Sequence, residues 1–137
     1  ERYEDEVQRM GLASHVSLTG KIAYEKAAAF LSLGDIAVSP KLSVTEANGK
    51  LMNYLACGLP CVVFDTPINR ELLGDVGAYV AQQDTGALSD ALSGLLNDET
   101  RRADLAARSR QAAMEQHAWS ARIRILERVY ENVTTPI

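Results

Sequence analysis

The run Asp35-Ile36-Ala37-Val38-Ser39, closed by Pro40, most constrains what this chain can fold into. It is short, mostly apolar and ends at a residue that cannot extend a strand ladder. Such a run reads as a strand buried on both faces, which belongs in a parallel sheet covered by helices. The flanking sequence supplies both kinds of element. Residues 16–19 read as a strand with Val16 and Leu18 on one face, 61–64 (Cys-Val-Val-Phe) as another, and 78–80 as a last short one. Helices are predicted over 21–33, 49–57 and 68–73, and 1–11 reads as the end of a helix with Gly11 as its cap. After residue 80 the strands stop. Residues 85–96, 99–116 and 120–132 show helical spacing of apolar residues, with Leu88, Ala91, Leu92, Leu95 and Leu96 in one stripe and Ile123, Leu126, Val129 and Tyr130 in another. The prediction is an α/β domain over 1–137: a Rossmann-like parallel sheet flanked by helices, with a helical C-terminal tail.

Composition narrows the function. A chain of 137 residues, 47 % apolar, can bury one core and no more. Its net charge of −4 argues against an electrostatic grip on nucleic acid. No apolar run is long enough to span a bilayer, and membrane contact is not indicated. Cys57 and Cys61 have no nearby histidines to complete a zinc site, since His15 and His117 lie far away in sequence. Both cysteines are expected to be small buried apolar groups in a reducing, cytoplasmic setting.

Ligands of doubly wound sheets bind beyond the carboxyl ends of the strands, so the loops after Ser39 and Phe64 are the places to look. After Ser39 a polar loop, 41–48, leads into a helix at Gly49-Lys50. A helix start offers unpaired backbone N–H groups, Gly49 admits close approach, and Lys50 adds a compact positive charge, a combination that suits a phosphate. Asn53, one turn on along the same face, suits a ribose or sugar hydroxyl. Taken alone, Gly-Lys at a helix start is common in helices that bind nothing.

The order of segments resembles the donor domain of glycosyltransferase family 4, a GT-B family: Val-x-Leu-x-Gly, a helix, Asp-Ile-x-Val-Ser-Pro, a loop, a helix ending Leu-Ala-Cys-Gly-Leu-Pro, and a strand. The resemblance extends through Asn69-Arg70-Glu71-Leu72-Leu73 and Gly77 to the closing helices, with Lys50 and Tyr54 closest to a subgroup whose helix reads Lys-x-x-Glu-Tyr-x-Ala. It implies a retaining hexosyltransferase that uses a nucleoside diphosphate sugar, without cofactor or active-site metal. The family's paired glutamates, eight residues apart, fall on Thr45, with Glu46 beside it, and on Asn53. The resemblance therefore implies Glu46 as the catalytic candidate facing the sugar, and Thr45, Gly49, Lys50, Leu51 and Asn53 as the donor-binding set.

The Gly-rich, Arg/Lys-bearing segment that opens such a domain has no counterpart, nor has the acceptor domain before it, and Glu1 is not a Met. The chain is accordingly expected to be an excised part of an enzyme, inactive alone, with the upstream acceptor domain as its partner or with a tendency to self-associate. The competing reading is a non-catalytic, degenerate module that binds a nucleotide or a partner; an epimerase of the same architecture fits the loop less well. Asn69, Arg70 and Glu71 either border the site or form a solvated helical turn. Trp119 is expected to anchor the last helix by packing, and the arginines of 101–110 to form a solvated face.

Overall fold

The computed structural model describes residues 2–43 and 45–134, so the ends of the expected domain, residues 1 and 135–137, lie outside the described residues. The chain runs α1 (Arg2–Arg9), α2 (Tyr24–Leu31), β1 (Ala37–Ser39), α3 (Lys50–Ala56), β2 (Cys61–Phe64), α4 (Pro67–Leu73), β3 (Gly77–Val80), α5 (Thr85–Leu96), α6 (Glu99–Ala112), a π-helical turn (Ala113–His117) and α7 (Trp119–Thr134). The strands form one parallel sheet in the order β1-β2-β3. Ala37 faces Cys61 and Ser39 faces Val63, while Cys61 faces Gly77 and Phe64 faces Val80.

The central strand shows why the continuous apolar run matters. Successive side chains of a strand point to opposite faces. Cys61 and Val63 join Ala37, Leu51, Leu55, Leu59, Leu73 and Val76 in one cluster. Val62 and Phe64 join Val80, Leu95 and Leu105 in the other. Every residue of β2 is therefore buried, and helices cover both faces.

The turn from α3 into β2 follows from Cys57-Gly58-Leu59-Pro60. Gly58 adopts φ +69°, donates from its N–H to Leu55 O, and is followed by Leu59 N donating to Tyr54 O. This pair of bonds satisfies the last carbonyls of α3 and needs a residue that tolerates the left-handed conformation. Pro60 then prevents the helix from continuing. Side-chain caps start three later helices: Thr66 Oγ1 accepts from Asn69 N at 3.1 Å, Asp84 from Ala87 N at 2.8 Å, and Asp98 from Arg101 N at 2.9 Å.

Four expectations need correction. Residues 16–19 form no strand; Val16 and Leu18 are 38 % and 49 % exposed. Alternating apolar residues register a potential face, but a strand also requires a hydrogen-bonded neighbour, and this segment pairs with none of the three strands. Trp119 does not anchor the last helix: it is 70 % exposed, and no described residue of α7 is buried. The apolar stripe of α7 follows the helical period, but Leu126, Val129 and Tyr130 are exposed and only Ile123 is partly covered, and α7 packs chiefly on the π-helical turn before it. Leu96 likewise leaves the stripe of α5 and is exposed, whereas Leu95 is buried. Cys57 is only half-buried, with Sγ 3.9 Å from Ala28 O, while Cys61 is buried as expected.

Candidate functional site

The loop after β1 is held from two sides. On its outer side Lys41 Nζ donates to the carbonyls of Glu46 and Ala47 at 3.2 and 3.0 Å, and pairs with the Glu46 carboxylate at 3.4 Å. On its inner side the loop ends at Asn48, which is buried. Asn48 Nδ2 donates to Ser39 Oγ at 3.0 Å and to Asn69 Oδ1 at 3.1 Å, and Asn69 Nδ2 donates to Phe64 O at 2.8 Å. Ser39 ends β1, and Phe64 ends β2. The chain of amides thus ties the loop, the first turn of α3 and the first turn of α4 to the carboxyl ends of two adjacent parallel strands, the edge at which such sheets bind ligands.

The residues singled out from sequence fall around this clasp. Thr45 and Glu46 are exposed on the loop, Glu46 with 75 % of its side chain open to solvent. Gly49 precedes α3 with φ −55°, which any residue adopts; a Cβ built there would meet nothing within 4 Å. What Gly49 offers is a bare backbone on an open face. Lys50 is exposed at the start of α3, and Asn53 is exposed one turn on. Asn53 borders a cleft of about 290 Å³ between α2 and α3, shared with Tyr24, Glu25 and Ala28. Leu51 points the other way: its side chain is wholly buried, and its N–H donates to Asn48 O at 2.9 Å.

Sequence reasoning did not single out Asn48 or Lys41. Asn48 differs from any loop asparagine only through partners that folding brings together. A buried side-chain amide with its hydrogen bonds satisfied is the trace such a role leaves in the structure. Tyr24 was equally silent in the sequence and is exposed beside Asn53.

Around the end of β2, Arg70 is committed to its neighbours. It donates twice to the Asp65 carboxylate, both bonds 2.7 Å, and its guanidinium lies 4.1 Å from the centroid of the Tyr79 ring. The hydrogen bond from Arg70 holds the Asp65 carboxyl below the usual carboxylate range. Asn69 belongs to the buried clasp, and Glu71 is exposed. His117 lies at the far end of α4: Nε2 is 3.0 Å from Leu72 O and Nδ1 is 3.2 Å from a guanidinium nitrogen of Arg122. A carbonyl only accepts and a guanidinium only donates, so this geometry suits the tautomer with its proton on Nε2.

The two thiols differ. Burial pushes the Cys61 thiol up to about 12, which leaves almost no thiolate at neutral pH. A thiol reagent at neutral pH should therefore label Cys57 first and leave Cys61 unmodified until the chain unfolds. Equal labelling rates in the folded protein would contradict the placement of Cys61. Among the described residues no group of three or more His, Cys, Asp and Glu is arranged to hold a metal ion. No helix of the described residues is long and apolar enough to cross a membrane.

Comparison with known proteins shows the family and the fold. Residues 1–98 match the family model described as Glycosyl transferases group 1. The chain belongs to the group 1 glycosyl transferases. It is 31 % identical over 130 residues to the phosphatidyl-myo-inositol mannosyltransferase of Mycobacterium leprae (strain TN), covering 93 % of this chain and 34 % of that protein. It is 29 % identical over 135 residues to the protein of the same name from Mycolicibacterium smegmatis, covering 96 % of this chain and 35 % of that protein. The chain thus spans about a third of the length of these curated relatives. Sucrose-phosphate synthase from Thermosynechococcus elongatus superposes with a TM-score of 0.84 over 96 % of this chain and 33 % of that one; at 23 % identity it speaks for the fold. The Rossmann-like parallel sheet, its flanking helices and the helical tail are those of a GT-B glycosyltransferase domain.

Proposed function

We propose that this chain forms part of the donor-binding site of a retaining hexosyltransferase, which transfers a sugar from a nucleoside diphosphate sugar to an acceptor. One observation carries the reading. In a group 1 glycosyl transferase chain, the loop bearing Thr45 and Glu46 and the helix bearing Lys50 and Asn53 are pinned to the carboxyl edge of a parallel sheet. Lys50 supplies positive charge to the leaving diphosphate, and the bare backbone at Gly49 lets the phosphate come close. Leu51 contributes through its backbone and through packing, since its side chain is in the core. Asn53, at the mouth of its cleft, holds the ribose hydroxyls. Glu46, released from Lys41 as the sugar enters, faces the reacting sugar beside Thr45. The chemistry assigns no step to a metal or cofactor, because fixed dipoles and basic side chains take up the charge of the leaving group.

Transfer also needs an acceptor held at reacting distance, and positioning supplies much of the acceleration. The two mannosyltransferase relatives are about three times as long as this chain, and on this reading the acceptor is held by residues outside it. The 137-residue chain should accordingly bind UDP or GDP in a calorimetric titration yet transfer no sugar from the corresponding nucleotide sugars. Turnover by the chain alone would overturn its incompleteness. Absence of any binding to either nucleotide would favour the non-catalytic module.

A further inference from the structure

We infer that Asn48 and Asn69 are positioning residues for the donor site: their linked amides set where the 45–49 loop and the first turn of α3 stand relative to the sheet. The inference rests on the donor-binding reading above and adds two residues to it that touch no ligand themselves. Three features support it. First, both side chains are buried, each 2 % exposed, in a region whose surroundings are the polar loop and two strand ends. Burying an amide is unfavourable unless its groups are paired, so these two are held to the partners that satisfy them. Second, their bonds cross between elements. Asn48 links to Ser39, nine residues away, and to Asn69, twenty-one residues away, and Asn69 continues the link to the Phe64 carbonyl. Such bonds fix the relative placement of elements that apolar contacts would allow to slide. Third, the chain backbone on either side of Asn48 bears the proposed contact residues. Asn48 O accepts from Leu51 N, which closes the first turn of α3 around Lys50, and Glu46 lies two residues before it. Lys41 grips the loop's outer carbonyls but leaves its inner end to Asn48.

The functional consequence is preorganisation. A loop already held in its binding conformation does not lose that freedom when the nucleotide arrives, whereas a loose loop does. Removing Asn48 also strands the Ser39 hydroxyl and the Asn69 carbonyl without their donor.

The test compares the unaltered chain with N48A, N69A and S39A. Two readouts are taken at a temperature where the amide signals of Val62 and Val63 show that the sheet is intact: hydrogen exchange at the Leu51 and Met52 amides, and the dissociation constant for UDP and GDP. N48A should speed exchange at Leu51 and Met52 about tenfold with Val62 and Val63 unchanged, and weaken nucleotide binding about tenfold. S39A, which removes one of the two acceptors of Asn48 and keeps the link to Asn69, should show the same pattern at smaller size. Should N48A or N69A not fold, S39A carries the comparison. A folded variant with unaltered exchange and unaltered affinity overturns the inference. If the unaltered chain binds neither nucleotide, the donor-binding reading falls, while the exchange data still decide whether Asn48 holds the loop. If affinity falls without any change in exchange at Leu51 and Met52, Asn48 is a ligand contact and the positioning role is refuted.

Discussion

Leu55→Ala should destabilise the chain by about 2–5 kcal/mol, the usual range for truncating a large core side chain. Leu55 has no exposed surface and sits on the α3 side of the sheet, among Ala37, Leu51, Cys61 and Val63. The loss has two parts: the transfer free energy of the removed methyl groups and the cavity they leave. Relaxation into that cavity is restricted. The α3 backbone is fixed at its C-terminal end by the Gly58 turn, for which Leu55 O is itself an acceptor, and by Arg110, whose guanidinium donates to Ala56 O. Because a domain of this size has about 5–15 kcal/mol of stability in all, the change is a large share of the total. Urea unfolding should show a markedly lower midpoint with the slope nearly unchanged, since the surface exposed on unfolding is the same. A loss below about 1 kcal/mol would mean that α3 is not packed on the sheet as described.

Lys50→Ala should do the reverse: leave stability within about 0.5 kcal/mol and weaken nucleoside diphosphate binding about tenfold. Lys50 is exposed at the outer end of α3, next to the buried Leu51 but turned away from the core. A charge-assisted contact to a phosphate is stronger than a neutral hydrogen bond, and its exposure moderates the gain through water and salt. The affinity of the unaltered chain should therefore fall with added salt, and that of Lys50→Ala should fall less steeply. Equal affinities and equal salt slopes for the two proteins would remove Lys50 from the site. Reading the two substitutions together separates the roles of neighbouring positions on one short helix.

The sheet was legible where each residue's own chemistry settled the matter. Cys61–Phe64 is the strand that four successive apolar residues behind Pro60 predict, and Thr85–Leu96 is the helix that its stripe predicts. The Ala-Cys-Gly-Leu-Pro turn was legible for the same reason, since only glycine readily adopts the conformation found at Gly58. The failures share a cause. Val16, Leu18 and the stripe of α7 have the period of elements that bury a face, but period does not name the surface that would cover them. Trp119 is a large apolar residue at the start of such a helix and remains in solvent. The site divides in the same way. The proposed contacts Thr45, Glu46, Gly49, Lys50 and Asn53 are those that order and resemblance name. The clasp could not be named so, because Ser39, Asn48 and Asn69 are ordinary polar residues until the ends of β1 and β2 bring them within hydrogen-bonding distance. Arg70, which the sequence leaves either at the border of the site or on a solvated turn, is engaged by Asp65 and Tyr79 in the structure.

On the proposed reading the donor binds at the carboxyl edge of the sheet, over the loop after β1 and the start of α3. Backbone amide shifts followed by NMR during titration with UDP and with GDP test it most directly. Gly49, Lys50 and Asn53 should move first and saturate together, with Thr45 and Glu46 following, while α5 and α6 stay still. Shifts confined to α5, α6 and α7, or scattered over them, would contradict it.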